Sequence, residues 1–175
     1  MAAVSCLVAA QPAYPQGNQT LRVTPLVRME EERVFVSFEL AGGLTDEVRA
    51  AIQSGLQTTF TYAIELRLDV PAWFDRTIST ATIANRVEYD NLTRVYNIVR
   101  LLDGRTEKAD VTQSDDVVRT WMTSLERFPL FSTTRLEPNR EYYIRVSASA
   151  RPSNGMFFWP FGSGPSAQSR FTFIR

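Results

Sequence analysis

The sequence predicts an all-β fold with two short helices, an antiparallel β-sandwich of seven to eight strands formed by residues 20–175 as a single domain. Three observations lead there. Residues 60–70 alternate: Phe60, Tyr62, Ile64, Leu66, Leu68 and Val70 are apolar, Thr61, Glu65, Arg67 and Asp69 are polar, and Ala63 is neutral. Period two over that length means a strand with one buried and one wet face. Shorter alternating runs recur along the chain and are closed by turn-forming residues. Helical spacing occurs in two stretches, both short enough to be connections rather than a layer.

Taken in order, residues 21–29 place Leu21, Val23, Val27 and Met29 on one side. Pro25 cannot donate to a ladder, which assigns this strand to a sheet edge. Glu30-Glu31-Glu32 is the turn, read as a solvated tip rather than a metal site. Val34, Val36, Phe38 and Leu40 alternate with Phe35, Ser37 and Glu39, giving a second strand in a hairpin with the first. Gly42-Gly43 ends it. Thr45 then caps a helix whose first turn holds Asp46 and Glu47, whose apolar face is Val48, Ile52 and Leu56, and whose stop is Gly55. So short a helix must dock on the sheet, as a lid over one end of the core.

The central strand stops at Pro71. Residues 77–89 form the next, with Ala81, Ile83, Val87 and Tyr89 in one register, and Asp90-Asn91 turns it into residues 92–102. Asp103-Gly104 is a strong hairpin dipeptide, and the polar return strand 105–111 suits an edge. Ser114, Asp115 and Asp116 open a second helix in which Val118, Trp121, Met122 and Leu125 follow i, i+3, i+4, i+7, with Pro129 as its end. Residues 169–174 are the final strand.

Leu136-Glu137-Pro138-Asn139-Arg140-Glu141-Tyr142 resembles the tyrosine corner of fibronectin type III and related immunoglobulin-like domains. There a leucine, a turn proline and a tyrosine open the penultimate strand, and the hydroxyl bonds back to upstream backbone. Tyr142 holds that place, with Ile144, Val146 and Ala148 continuing inward. The resemblance makes the expected sandwich immunoglobulin-like. In that topology the helix at 45–54 lies at the same end as residues 156–161, and Trp73 and Phe74 lie at the opposite end.

Composition narrows the function classes. Nineteen basic residues balance nineteen acidic ones, which argues against a nucleic-acid binder with its basic stripe. The chain has no histidine, the commonest metal ligand and general base. Its single cysteine, Cys6, rules out an intrachain disulfide and a thiolate zinc cluster. Phosphate-loop, zinc and nucleophile-elbow motifs are absent, so neither a cofactor nor a metal is expected, and an enzyme would have to work with carboxylates alone. The carboxylate pairs have plainer readings. Asp115 and Asp116 suit a helix dipole, and Glu65 and Asp69 are too far apart on a wet face to share a proton.

No apolar run reaches the roughly 20 residues that span a bilayer. Residues 1–19 read as an apolar tail or signal-peptide remnant. Val8 and Ala10 before Gln11 fit the cleavage rule, although no Lys or Arg follows Met1. Ala3-Val4-Ser5-Cys6 is a poor lipoprotein box, and a free apolar terminus is the third reading. Export is favoured.

One stretch asks for a functional explanation. Phe157, Phe158, Trp159 and Phe161 stand between Gly155 and Gly162-Ser163-Gly164, where a loop should be polar. Exposed, they would mark a protein or membrane contact. Folded back, they would cap the core against Ile52 and Leu56. A second candidate is Trp73, Phe74, Asp75 and Arg76, which could stack on a sugar or peptide with charges to the side, or simply pack at the rim of the sandwich.

The run Phe38-Glu39-Leu40, Gly42-Gly43-Leu44-Thr45-Asp46-Glu47-Val48, Ile52-Gln53-Ser54-Gly55-Leu56 and Thr58-Thr59-Phe60-Thr61-Tyr62 resembles an uncharacterised bacterial family, domain of unknown function 4390. Trp73-Phe74-Asp75-Arg76, Tyr89-Asp90-Asn91-Leu92, Pro129-Leu130-Phe131 and Trp159-Pro160-Phe161 resemble it as well. That resemblance implies an exported or membrane-anchored protein, and a neighbouring membrane sensor kinase in some genomes implies a signalling accessory. It carries no catalytic or ligand-binding residues. The expectation is therefore a non-enzymatic, periplasmic or otherwise extracytoplasmic module whose partner is an envelope or membrane signalling protein, with peripheral membrane contact and small-ligand or glycan binding as alternatives.

Overall fold

A computed structural model describes residues 19–28, 32–70, 74–152 and 164–174. In chain order these form β1 (Thr20–Arg28), β2 (Arg33–Ala41), α1 (Asp46–Gln53), β3 (Thr58–Leu68), β4 (Arg76–Asp90), β5 (Val95–Leu102) and β6 (Arg105–Thr112). Then come α2 (Asp115–Thr123), β7 (Ser124–Ser132), a single 3-10 turn at Thr133–Arg135, β8 (Arg140–Pro152) and β9 (Ser166–Phe173). The strands make two antiparallel sheets, β1-β2-β7 and β6-β5-β4-β3-β8-β9, facing each other as a sandwich.

Strand β3 is the axis of the larger sheet, flanked by β4 and β8 along its full length. Its alternation becomes packing: Phe60, Tyr62, Ile64 and Leu66 are buried, and each contributes roughly 2–3 kcal/mol by leaving water. Val34, Val36, Phe38 and Leu40 face them from β2, and the Phe38 and Tyr62 rings meet with centroids 4.3 Å apart. Both expected edges are edges. β1 ends the smaller sheet with Pro25 opposite Val36, and β6 ends the larger one with every side chain exposed except Thr112. The β5–β6 turn needs left-handed backbone at two successive positions, and Asp103 (φ 49°) and Gly104 (φ 79°) supply it.

The helices start where their caps dictate. Thr45 Oγ1 accepts from the Val48 N–H at 3.4 Å, and Ser114 Oγ accepts from the Val117 N–H at the same distance. Val48 and Ile52 dock α1 on β3 and β4, and Val118 and Met122 bury the inner face of α2.

One expectation fails. The described residues hold nine strands, not seven or eight, because the second helix ends at Thr123 rather than running to Pro129. Residues 124–132 are β7, which pairs with β2, Val34 standing opposite Phe131. Leu125, which continues the helical spacing, is buried as a strand residue instead. β2 would otherwise lack a second neighbour, and its pairing outweighs one more turn of helix. β7 is irregular: Arg127 has φ 45° and the register slips between Val36 and Phe38. Pro129 is tolerated because only one side of this strand is paired.

Tyr142 makes the bond its position promises, its hydroxyl accepting from the Glu137 N–H at 2.7 Å. β8 and β9 pair with Tyr142 opposite Phe171, and these rings stack at 5.8 Å.

Candidate functional site

The β3–β4 connection is held from several sides. The Tyr143 hydroxyl donates to Asp75 Oδ2 at 2.7 Å, and Arg67 Nη2 donates to the Asp75 carbonyl at 3.2 Å. The Asp69 N–H donates to Glu141 O at 3.0 Å, and Arg170 pairs with Asp69 at 3.3 Å. Two cations, Arg67 and Arg145, lie 5.8 and 5.9 Å from the centroid of the buried Tyr143 ring. The Tyr143 hydroxyl above all, with help from the Val70 N–H, holds the Asp75 carboxyl below its ordinary value. Burial first, and then Asp75, pushes the Tyr143 hydroxyl up. Above this frame Phe74 is 89% exposed, and Arg76 reaches only a loose pairing with Glu137 at 3.9 Å.

Of the residues singled out in the sequence, Phe74, Asp75 and Arg76 therefore come together at one rim, while Trp73 lies outside the described residues. So do Phe157, Phe158, Trp159 and Phe161. The flanks of that aromatic stretch are at the other end of the sandwich from Phe74: Pro152 stands opposite Thr58, and Pro165 O accepts from the Ala148 N–H at 2.9 Å.

A second polar constellation lies between the sheets, and nothing in the sequence reading anticipated it. Helix α2 carries no basic residue in its last turn; Thr120 O accepts from the Ser124 N–H and hydroxyl, while the Trp121 and Met122 carbonyls are met from the sheet. Both sheet-borne donors arrive from elsewhere. Tyr62 Oη donates to Met122 O at 2.6 Å, and Arg100 Nη2 lies 3.4 and 3.5 Å from Trp121 O and Ser124 O. Arg100 Nε donates to the buried Asn85 Oδ1 at 2.8 Å, and its guanidinium stacks 4.5 Å from the Trp121 ring centroid. Desolvation lowers the Arg100 pKa from its ordinary value, and it raises that of Tyr62. The register of β5 held the clue: Tyr96, Ile98, Arg100 and Leu102 share the inward face, and an arginine there needs acceptors.

Two clefts flank the start of β7. One, of about 730 Å³, runs over the outer face of the smaller sheet and is lined by Arg22, Ser37, Glu39, Gly43, Arg119 and Glu126 among others. The other, of about 470 Å³, lies against α2 and reaches Arg100.

The candidate carboxylate pairs are occupied in the fold. Asp116 pairs with Arg119 at 2.7 Å, and Asp115 accepts from the Tyr96 hydroxyl at 2.5 Å. Burial and that carboxylate both raise the Tyr96 pKa. Glu65 pairs with Arg67 at 3.6 Å and Asp69 with Arg170. Among the described residues no three His, Cys, Asp or Glu side chains are grouped to hold a metal, and no helix is long and apolar enough to cross a membrane.

Fold and rim together define an all-antiparallel β-sandwich with a solvent-held aromatic, Phe74, and a polar core network. The family described as Domain of unknown function (DUF4390) matches residues 21–154, and the chain belongs to it. No curated protein and no solved structure matches the chain, so the likeness to fibronectin domains rests on the local geometry of Tyr142 alone.

Proposed function

We propose that this domain is a non-enzymatic, extracytoplasmic interaction module that engages an envelope protein through aromatic side chains at the ends of its sandwich. The observation that supports this reading is Phe74, almost fully exposed yet seated on a frame of hydrogen bonds and cation–π contacts. An aromatic on a rigid base loses little freedom on binding, which favours it as an anchor. The aromatic stretch 157–161 supplies a second contact on this reading, and the apolar residues 1–19 support export. A sugar or peptide at the same rim would meet Phe74 and Arg76 rather than the Asp75 carboxylate, which Tyr143 already occupies.

The test is site-specific photocrosslinking in intact cells, with the probe at position 74, at position 158, or at the exposed Leu92 as a control. Discrete adducts from 74 or 158 to one identified envelope protein, absent from 92, are expected. Equal labelling at all three positions, or none at 74 and 158 in a folded protein, overturns the proposal.

A further inference from the structure

The cleft beside α2 contains charges that the fold leaves unpaired. Arg100 has no carboxylate within ion-pair distance among the described residues. Glu107, in the bulge of β6 next to it, acts on it only through space. Its Nε is committed to Asn85 and its Nη2 makes two long contacts, but Nη1 donates to no described residue and is not sealed from solvent. Withdrawing a guanidinium from water costs more than the negative end of a helix returns. The helix cap therefore explains the direction of the side chain without balancing its charge.

Glu126, on the same cleft, is the complementary case, since no described residue pairs with it. The other carboxylate there, Asp116, is already neutralised by Arg119. The rest of the lining is mainly apolar, with Trp121, Leu125 and Val117, which is 45% exposed, beside the uncharged Thr120 and Ser124. A volume of about 470 Å³ falls within the range of small-molecule sites. One unpaired cation, one unpaired anion and an apolar floor select a ligand carrying both charges on an aliphatic body. A dianion would be repelled by Glu126 and Glu107, and a plain cation by Arg100 and by Lys108, whose Nζ lies 5.8 Å from the Trp121 centroid.

We propose that this cleft binds a small aliphatic zwitterion, a free amino acid or a dipeptide, with its carboxylate on Arg100 Nη1 and its ammonium on Glu126. The site is separate from the Phe74 rim, so it stands or falls independently of the interaction reading.

The experiment is titration of the full-length, nitrogen-15-labelled protein, following the Trp121 indole and Arg100 side-chain N–H signals. The probes are leucine and leucyl-leucine, with N-acetyl-leucine and leucinamide as controls that each lack one charge. Saturable shifts with a zwitterion at about millimolar Kd are expected, weakened about tenfold for both controls. Glu126→Gln lies on an exposed strand position and keeps the fold. It should lower leucine affinity to that of N-acetyl-leucine while leaving N-acetyl-leucine binding unchanged. Tighter binding of leucyl-leucine than of leucine would assign the site to peptides, and the reverse to amino acids. No saturable shift with either zwitterion up to about 20 mM, or equal affinity for zwitterions and controls, overturns the proposal.

Discussion

Two clusters in this molecule use the same donors, a tyrosine hydroxyl and an arginine, and differ in what surrounds them. Between the sheets, Tyr62 and Arg100 reach carbonyls at the end of α2 that would otherwise be unmet. At the rim, Tyr143 and Arg67 reach the carboxylate and carbonyl of Asp75, groups that water could serve as well. A hydrogen bond is worth most where its loss strands a buried partner. The inner cluster therefore stabilises the fold, whereas the outer one positions a loop.

The comparison predicts a graded series. Arg100→Ala strips two carbonyls and Asn85 of their donor and should cost about 3 kcal/mol in denaturant unfolding. A loss under about 1 kcal/mol would mean that solvent replaces it and the inner cluster is not special. Tyr62→Phe keeps the ring against Phe38 and removes one buried bond, so about 1–2 kcal/mol is expected from the same measurement. Tyr143→Phe should cost less than about 1 kcal/mol globally, while hydrogen exchange at residues 74–76 accelerates. If Tyr143→Phe proved as costly as Tyr62→Phe, the distinction between the clusters would collapse.

The smallest effect concerns pH. Asp75 has a folded pKa below its ordinary value of 3.8, so its contribution is present above that value and is lost as pH falls through the folded pKa. Asp75→Asn should flatten the acid limb of the stability profile. The three tyrosines with raised pKa, Tyr62, Tyr96 and Tyr143, act in the opposite sense. Their contribution is complete below about pH 10, where free tyrosine titrates, and declines as pH rises through their folded values. A spectrophotometric titration in which all six tyrosines ionised together near pH 10 would contradict this.

Most of the architecture was legible because local rules and burial agree. Period two located β3, a hairpin dipeptide located the β5–β6 turn, and Thr45 and Ser114 marked both helix starts. β7 was hidden because Trp121, Met122 and Leu125 satisfy helical spacing, and only the demand of β2 for a neighbour decides between helix and strand. The rim was half legible: Phe74 and Asp75 are adjacent in sequence, but Tyr143 is 68 positions from Asp75 and joins it only through sheet register. The cleft was illegible for the same reason, since Arg100 on β5 and Glu126 on β7 come to line one cleft only through the packing of α2 against the strands.

The pairing of β2 with β7 also orders events in time. Val34 waits for Phe131, and Thr58 for Pro152, while the β3 to β6 meander closes through neighbouring strands. During synthesis the meander is complete at Thr112, before β7 begins at Ser124 and β8 at Arg140. One flank of β2 and one flank of β3, both strands rich in alternating apolar residues, stay unpaired until then, and such open edges recruit other chains. So non-local a topology forms in milliseconds to seconds rather than microseconds. The nascent protein therefore stays sticky until β7 and β8 emerge, and its yield depends on how well that interval is shielded.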